Sequence, residues 1–116
     1  MMRRRDRVEL LQGTLDLLVL RILLFGPFHG HAIGKQIRSA SLDVLKVETG
    51  SLYPALHRLE AQGWIASEWQ LSDKGKRAKY YRLTRTGRKQ LLSERTRWEQ
   101  LATAMARVLG LGQEGL

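Results

Sequence analysis

The chain has 116 residues, with 20 Lys or Arg against 11 Asp or Glu, a formal charge of +9 at neutral pH. A chain of this length hides about two-thirds of its unfolded surface and has room for one modest core, which excludes a doubly wound nucleotide fold or an eight-stranded barrel. It contains no Cys, which excludes disulfides, thiol catalysis and cysteine-based zinc or iron–sulfur sites.

Arg3, Arg4, Arg5 and Arg7 open the sequence, expected as an unstructured start without a function of its own, with an arm laid over a DNA groove as the alternative. Thr14 is the expected N-cap of a first helix, with Asp16 in its opening turn, where the helix dipole favours an anion. Leu15, Leu17, Leu18, Leu20, Ile22, Leu23 and Leu24 leave this helix almost no polar face. Such a helix is buried on most sides, and in so short a chain part of that burial is expected from a second subunit. The apolar run ending at Phe25 is far short of the roughly 20 residues that cross a membrane. A cytoplasmic protein without membrane contact is expected. Gly26-Pro27 ends the helix, and the stretch to Gly30 reads as a turn.

The spacing predicts a second helix from about Gly30 to Ala40, with Ile33 and Ile37 as its narrow apolar stripe. A polar linker from Ser39 to Glu48 follows, whose Val44 and Val47 are expected to dip into the core. Then comes Thr49 to Gly63, where Leu52, Ala55, Leu56 and Leu59 share one face at helical spacing. Ser51, Tyr53, Pro54, His57 and Arg58 are left outside. A proline is tolerated only near a helix start, which places that start at Thr49 or Gly50. Gly63 is the stop.

Two strands are predicted, Trp64 to Leu71 and Ala78 to Leu83, joined by the cationic tip Ser72 to Arg77. Ile65, Trp69, Tyr81 and Leu83 are the candidate inner face. The last helix runs from near Thr84 to about Leu109. Leu91, Trp98 and Met105 recur every seven residues, and Leu101 and Val108 fall between them as the second position of a seam. A core this small cannot cover that seam, so dimerisation is the expected answer. Leu15, Leu18, Leu91, Trp98, Leu101, Met105 and Val108 are the candidate interface. Gly110, Gly112 and Gly115 predict a frayed end.

The charge is uneven. Residues 51–90 carry net +6 and residues 91–116 carry none. Lys74, Lys76, Arg77 and Lys79 are the densest part. Such a patch draws a polyanion and gains affinity by releasing counterions. Two short helices, a third with a polar outer face and a basic hairpin make a winged helix-turn-helix. The fold class is thus mainly α with a small β-hairpin wing (α+β). Residues 1–84 form the DNA-binding domain, and residues 85–116 form the C-terminal dimerisation helix and frayed tail. The third helix would enter the major groove, where Arg58 can meet guanine or a phosphate. Lys74, Lys76, Arg77 and Lys79 would anchor the backbone without reading sequence.

The resemblance becomes specific at Gly13-Thr-Leu-Asp-Leu-Leu-Val-Leu20, Gly30-His-Ala-Ile33, Gly50-Ser-Leu-Tyr-Pro-Ala-Leu-His-Arg-Leu-Glu60, Gly63-Trp-Ile65 and Tyr80-Tyr-Arg-Leu-Thr84 with Gly87. These segments resemble the PadR family of bacterial transcriptional regulators, in the branch with a single C-terminal helix. The likeness spans about residues 12–92. It implies a homodimeric repressor on a two-fold, inverted-repeat operator, released by a small-molecule or other signal. It also implies DNA contacts from Ser51, Tyr53, Pro54, His57 and Arg58 and from the wing at Lys74 to Lys79. The family often has Tyr where this chain has His31 and Pro where it has Arg85.

No nucleophile triad, phosphate-cradling glycine loop or metal motif is visible, so neither enzyme activity nor a cofactor is expected. His29 and His31 lack a third ligand nearby for a metal. Trp98 is the candidate wall of an apolar site between subunits for a small aromatic inducer, together with Leu15, Leu18 or Leu101. Two other functions fit the charge: a non-specific architectural DNA binder, and a basic module that docks on an acidic protein.

Overall fold

A computed structural model describes residues 12–112; the Arg3 to Arg7 arm lies outside that range. The first element is helix α1 (Gln12–Leu23). It already includes Thr14, which therefore sits inside the first turn and not at the cap. Leu15, Val19, Leu20 and Leu23 are buried, while Leu17, Leu18 and Ile22 are half-buried against the same core. Leu24 and Phe25 are exposed just beyond its end. The expected all-round burial is thus only partly met within one chain.

Strand β1 (Phe28–His29) follows where a turn was expected. It pairs antiparallel with strand β3 (Arg77–Leu83), Phe28 opposite Tyr81 and His29 opposite Tyr80. Two residues are too short to show an alternating pattern, so only the distant partner reveals the strand. His29 also caps helix α2 (Gly30–Ala40): its Nδ1 accepts the Ala32 N–H at 3.2 Å. That use of the lone pair is a structural job for a histidine considered above as a metal ligand. Ile33 and Ile37 are buried as expected.

The turn after α2 places Leu42 (φ 54°) and Asp43 (φ 64°) in the left-handed region, which costs roughly 1–2 kcal/mol for each non-glycine residue. Local bonds hold it. The Asp43 N–H donates to the Arg38 carbonyl at 2.9 Å, and Arg38 Nε donates to the Asp43 carboxylate at 3.1 Å. The double twist turns Val44 outward to 54% exposure, and Leu45 packs on the core beside Val47. Val44 is therefore not a core residue.

Helix α3 (Thr49–Ala61) buries Leu52, Ala55, Leu56 and Leu59. Pro54 is its sixth residue, deeper than the opening turn, so the Gly50 carbonyl lacks its usual N–H donor. The helix ends on Gly63 (φ 77°), whose N–H reaches the Glu60 carbonyl while the Trp64 N–H reaches that of Leu59, both at 3.0 Å. This is a glycine-terminated Schellman end.

Strand β2 (Ile65–Leu71) pairs antiparallel with β3, Ile65 opposite Leu83 and Leu71 opposite Arg77, giving the sheet order β1-β3-β2. Ile65 and Tyr81 are buried, and Leu83 packs on the core. Trp69 shares their face of the sheet but is exposed. The hairpin outruns the helices there, and Trp69 lies instead against the Arg77 guanidinium, 5.1 Å from the ring centre.

Helix α4 (Arg85–Leu109) is capped by Thr84, whose Oγ1 accepts the Gly87 N–H at 3.0 Å and donates to the Gly63 carbonyl at 2.7 Å. The Thr84 N–H donates to the Trp64 carbonyl at 3.1 Å. Gly87 is buried against that same carbonyl, and a Cβ there would overlap it. Leu91 is the helix's other buried residue among those described. Leu15 (2% exposed) and Leu91 (3%) belong to the chain's own core and leave almost nothing for a partner to cover. Both are therefore corrected from interface to core residues.

Gly87→Ala must push α4 off the wing base. A loss of about 3 kcal/mol of unfolding free energy is expected, read as a lower urea midpoint. Gly34→Ala, whose Cβ would meet only Leu52 Cδ2 at an ordinary 3.6 Å, should instead gain about 0.5–1 kcal/mol from better helix propensity. Equal midpoints for the two variants would refute the close approach at Gly87.

Candidate nucleic-acid interface

The helical period sorts the outer residues of α3 into three strips. Gly50, Pro54, His57 and Ala61 lie opposite the buried face, and all four are exposed. Tyr53 and Glu60 lie seven apart on one flank. Ser51 and Arg58 lie seven apart on the other.

The flank with Glu60 faces the wing. The Glu60 carboxylate accepts the Ser67 hydroxyl and pairs with Lys79 Nζ at 3.7 Å. Lys79 also sits 5.7 Å from the centre of the Tyr81 ring. It is therefore paired with an acid within the fold, whereas Lys74 and Lys76 are exposed and Arg77, also exposed, lies against Trp69. Tyr53 lies across the start of α2, where a Cβ on Gly30 would come within 2.8 Å of its ring and hydroxyl. It remains 41% exposed, so packing occupies one edge and the other stays open. Burial raises the pKa of Tyr81, and the negative charges of Glu60 and, on ionisation, Tyr53 add to the shift.

The opposite flank faces α1. Arg58 Nη2 donates to Asp16 Oδ1 at 2.8 Å, and the Arg58 Nε is buried without a hydrogen-bond partner. The guanidinium thus points towards α1. The sequence pattern pointed Arg58 at guanine or a phosphate and gave no sign of this acid. Asp16 lies 42 positions away in the chain and carried no signal beyond its place near a helix start.

The wing tip is closed by Ser72, whose N–H donates to the Lys76 carbonyl at 2.7 Å and whose hydroxyl accepts the Lys76 N–H at 3.2 Å. Gly75 takes the left-handed position of that turn (φ 75°). The tip therefore holds Lys74, Lys76 and Arg77 on a defined loop. Arg85, Arg88 and Lys89 at the start of α4 are also exposed and extend the positive surface.

Past its second turn, α4 leaves the core. Trp98, Leu101, Met105 and Val108 are each about half exposed or more, and Leu92, Leu109 and Leu111 add to the bare apolar surface. Leu18 on α1 is half-buried. Glu94, the polar residue in the seam, accepts Gln90 and pairs with Arg97. Among the described residues, no helix is long and apolar enough to cross a membrane.

Residues 19–93 match the Transcriptional regulator PadR-like family. The chain is 30% identical over 111 residues to an uncharacterised protein of Lysinibacillus sphaericus, covering 95% of this chain and 97% of that one. It is 46% identical over 57 residues to a transcriptional regulator of Mycobacterium tuberculosis, covering 49% and 52% of the two chains. Its fold is similar to that of a PadR family transcriptional regulator from Eggerthella lenta, with a TM-score of 0.72 at 35% identity over 87% of this chain and 86% of that one. A transcriptional regulator from Clostridium thermocellum gives 0.75 at 30% identity over 83% and 93%.

The raised pKa of Tyr81 has a signed consequence. Its contribution to stability is fully present below the unfolded tyrosine value near 10 and is lost as pH rises through the higher folded value. Tyr81→Phe should flatten the alkaline limb of a stability–pH curve measured by denaturant unfolding. An unchanged limb would show that Tyr81 is not held neutral by the fold.

Proposed function

This chain belongs to the PadR-like family of transcriptional regulators, and we propose that it is a homodimeric repressor that binds an inverted-repeat operator and is released by a signal such as a small flat aromatic inducer. The family and the structural relatives named above are transcriptional regulators, not enzymes. The observation that carries the DNA-binding reading is the exposed strip of α3 beside a wing whose Lys74, Lys76 and Arg77 have no acid paired to them among the described residues. A helix of this kind fits the major groove, and a basic wing fits the flanking backbone.

In this reading residues 1–84 bind DNA and residues 85–116 dimerise. His57 is the hydrogen-bonding side chain at the centre of the α3 strip. Ser51 and Tyr53 reach phosphates from its flanks, and Pro54 offers an apolar contact to a thymine methyl. Lys74, Lys76 and Arg77 anchor the backbone, and Lys79 adds to their field from its place beside Glu60. The dimer forms through Leu18, Trp98, Leu101, Met105 and Val108. An apolar strip of this extent on a protruding helix is a surface that a second copy covers. Two α3 helices then stand about 34 Å apart or a small multiple of that, which calls for a dyad-symmetric operator. Trp98 lies near the dyad and would wall an apolar site there. Occupancy of that site would change the spacing of the two α3 helices and so release the operator.

The direct test is a titration with the promoter DNA of the protein's own gene and with a scrambled control, at two salt concentrations. A preference of about a thousandfold that weakens with salt is expected. Equal binding to both would favour an architectural role, and binding to neither a protein partner. His57→Ala should cost about 1–3 kcal/mol and relax one base position, whereas Lys76→Ala should weaken all sequences alike and flatten the salt slope. The division of roles fails if the two variants behave identically. Met105→Glu with Val108→Glu should yield monomers in sedimentation and lose operator binding together. A double variant that remains dimeric would rule out this face of α4.

A further inference from the structure

We propose that Arg58, the one arginine on the recognition helix, is a positioning residue: Asp16 holds it so that it fixes the pose of α3 and does not read a base. The inference rests on α3 being the element that meets DNA. Three observations support it. The guanidinium donates at 2.8 Å to a carboxylate on α1, a helix that buries Leu15, Val19, Leu20 and Leu23 in the core. Its Nε is buried, so the inner end of the guanidinium lies against the protein while part of the side chain stays open. The side chain is 35% exposed and that of Asp16 22%, so salt screens the pair less than it screens a fully exposed one.

Geometry gives the pair its role. It is the sole ion pair between α1 and α3 among the described residues. The apolar face of α3 and its close at Gly63 fix where the helix lies, and side-chain pairs on its two flanks add resistance to a roll about its own axis. Arg58 sits on the flank towards α1, and Glu60 sits on the flank towards the wing with Ser67 and Lys79. Charged tethers on both flanks oppose a roll in either direction. A swing of Arg58 out to a base would leave Asp16 without its cation and would release one side of the helix. Pro54 raises the need for a tether, since it removes a hydrogen bond from the same helix.

The test is a double-mutant cycle. Asp16→Ala, Arg58→Ala and the double variant are titrated against a duplex that the unaltered protein enriches from a random-sequence pool, and against an unselected duplex. Each single change should weaken binding of the enriched duplex about tenfold, and the double change should be no worse than either. Affinity for the unselected duplex and the salt slope should not move. If Asp16→Ala binds as tightly as the unaltered protein while Arg58→Ala relaxes one base pair, Arg58 reads DNA and the proposal falls. Asp16→Asn and Arg58→Lys serve where an alanine variant melts below the assay temperature, and the same non-additivity is expected of them. If the unaltered protein enriches no sequence, the DNA-reading premise fails separately. The tether is then judged by the amide resonances of Ser51, Tyr53 and His57 in the Asp16 variant, whose invariance would overturn it.

Discussion

One peptide group, the carbonyl of Trp64, is the point from which the functional elements take their directions. Its residue closes the C-terminal end of α3 and starts the wing. Its oxygen accepts the N–H of Thr84 and lies against Gly87 at the start of α4. Any side chain at position 87 would force these segments apart, so the close approach depends on glycine. The Thr84 hydroxyl, bonded to the Gly63 carbonyl and to the Gly87 N–H, locks the same corner from the other side. Helix α3, the wing and α4 therefore leave one tightly bonded corner. In the proposed dimer, a change of angle between two α4 helices has no soft hinge in which to dissipate at that corner. It would turn each α3 and each wing as a unit.

The wing owes its exposure to the same corner. Its base is buried through Ile65, Tyr81 and Leu83, and its distal half runs past the helices. Trp69 consequently keeps its place in the alternating pattern but has no core to enter, and it associates with Arg77. Alternation fixes the face on which a side chain lies, whereas burial also needs something opposite that face. Sequence pattern supplies only the first of these.

That distinction explains what was legible in the chain. The buried face of α3, its stop at Gly63, the span of α4 and the cationic tip follow from local periodicity and turn chemistry, and the resemblance to PadR regulators rests on those same segments. Strand β1 was hidden because its evidence is Tyr80 and Tyr81, far along the chain. Leu91 has the spacing of the seam and Leu15 lies on a helix without a polar face, yet both fill the chain's own core, where α1 lies against α4. Val44 gave way to Leu45 because two consecutive left-handed residues, Leu42 and Asp43, reversed the expected facing. The pairing of Arg58 with Asp16 required knowing which helices touch. Each miss is a tertiary relation laid over a correct local reading.

The composition of the exposed α3 strip then sets what accuracy the fold must deliver. Gly50, Pro54 and Ala61 carry no side-chain hydrogen-bonding group, and His57 carries one imidazole. Such a face offers few of the bidentate contacts that by themselves discriminate bases by about 1–3 kcal/mol each. In the proposed complex, selectivity would come from close apolar fit in the groove and from the deformability of the DNA between two fixed half-sites. Both depend steeply on where the helix lies and how it is rolled, and hardly at all on the reach of a long flexible side chain. In that complex α3, with few hydrogen-bonding groups on its outer strip, would have to be held firmly, and the acids Asp16 and Glu60, one towards each flank, are placed to hold it.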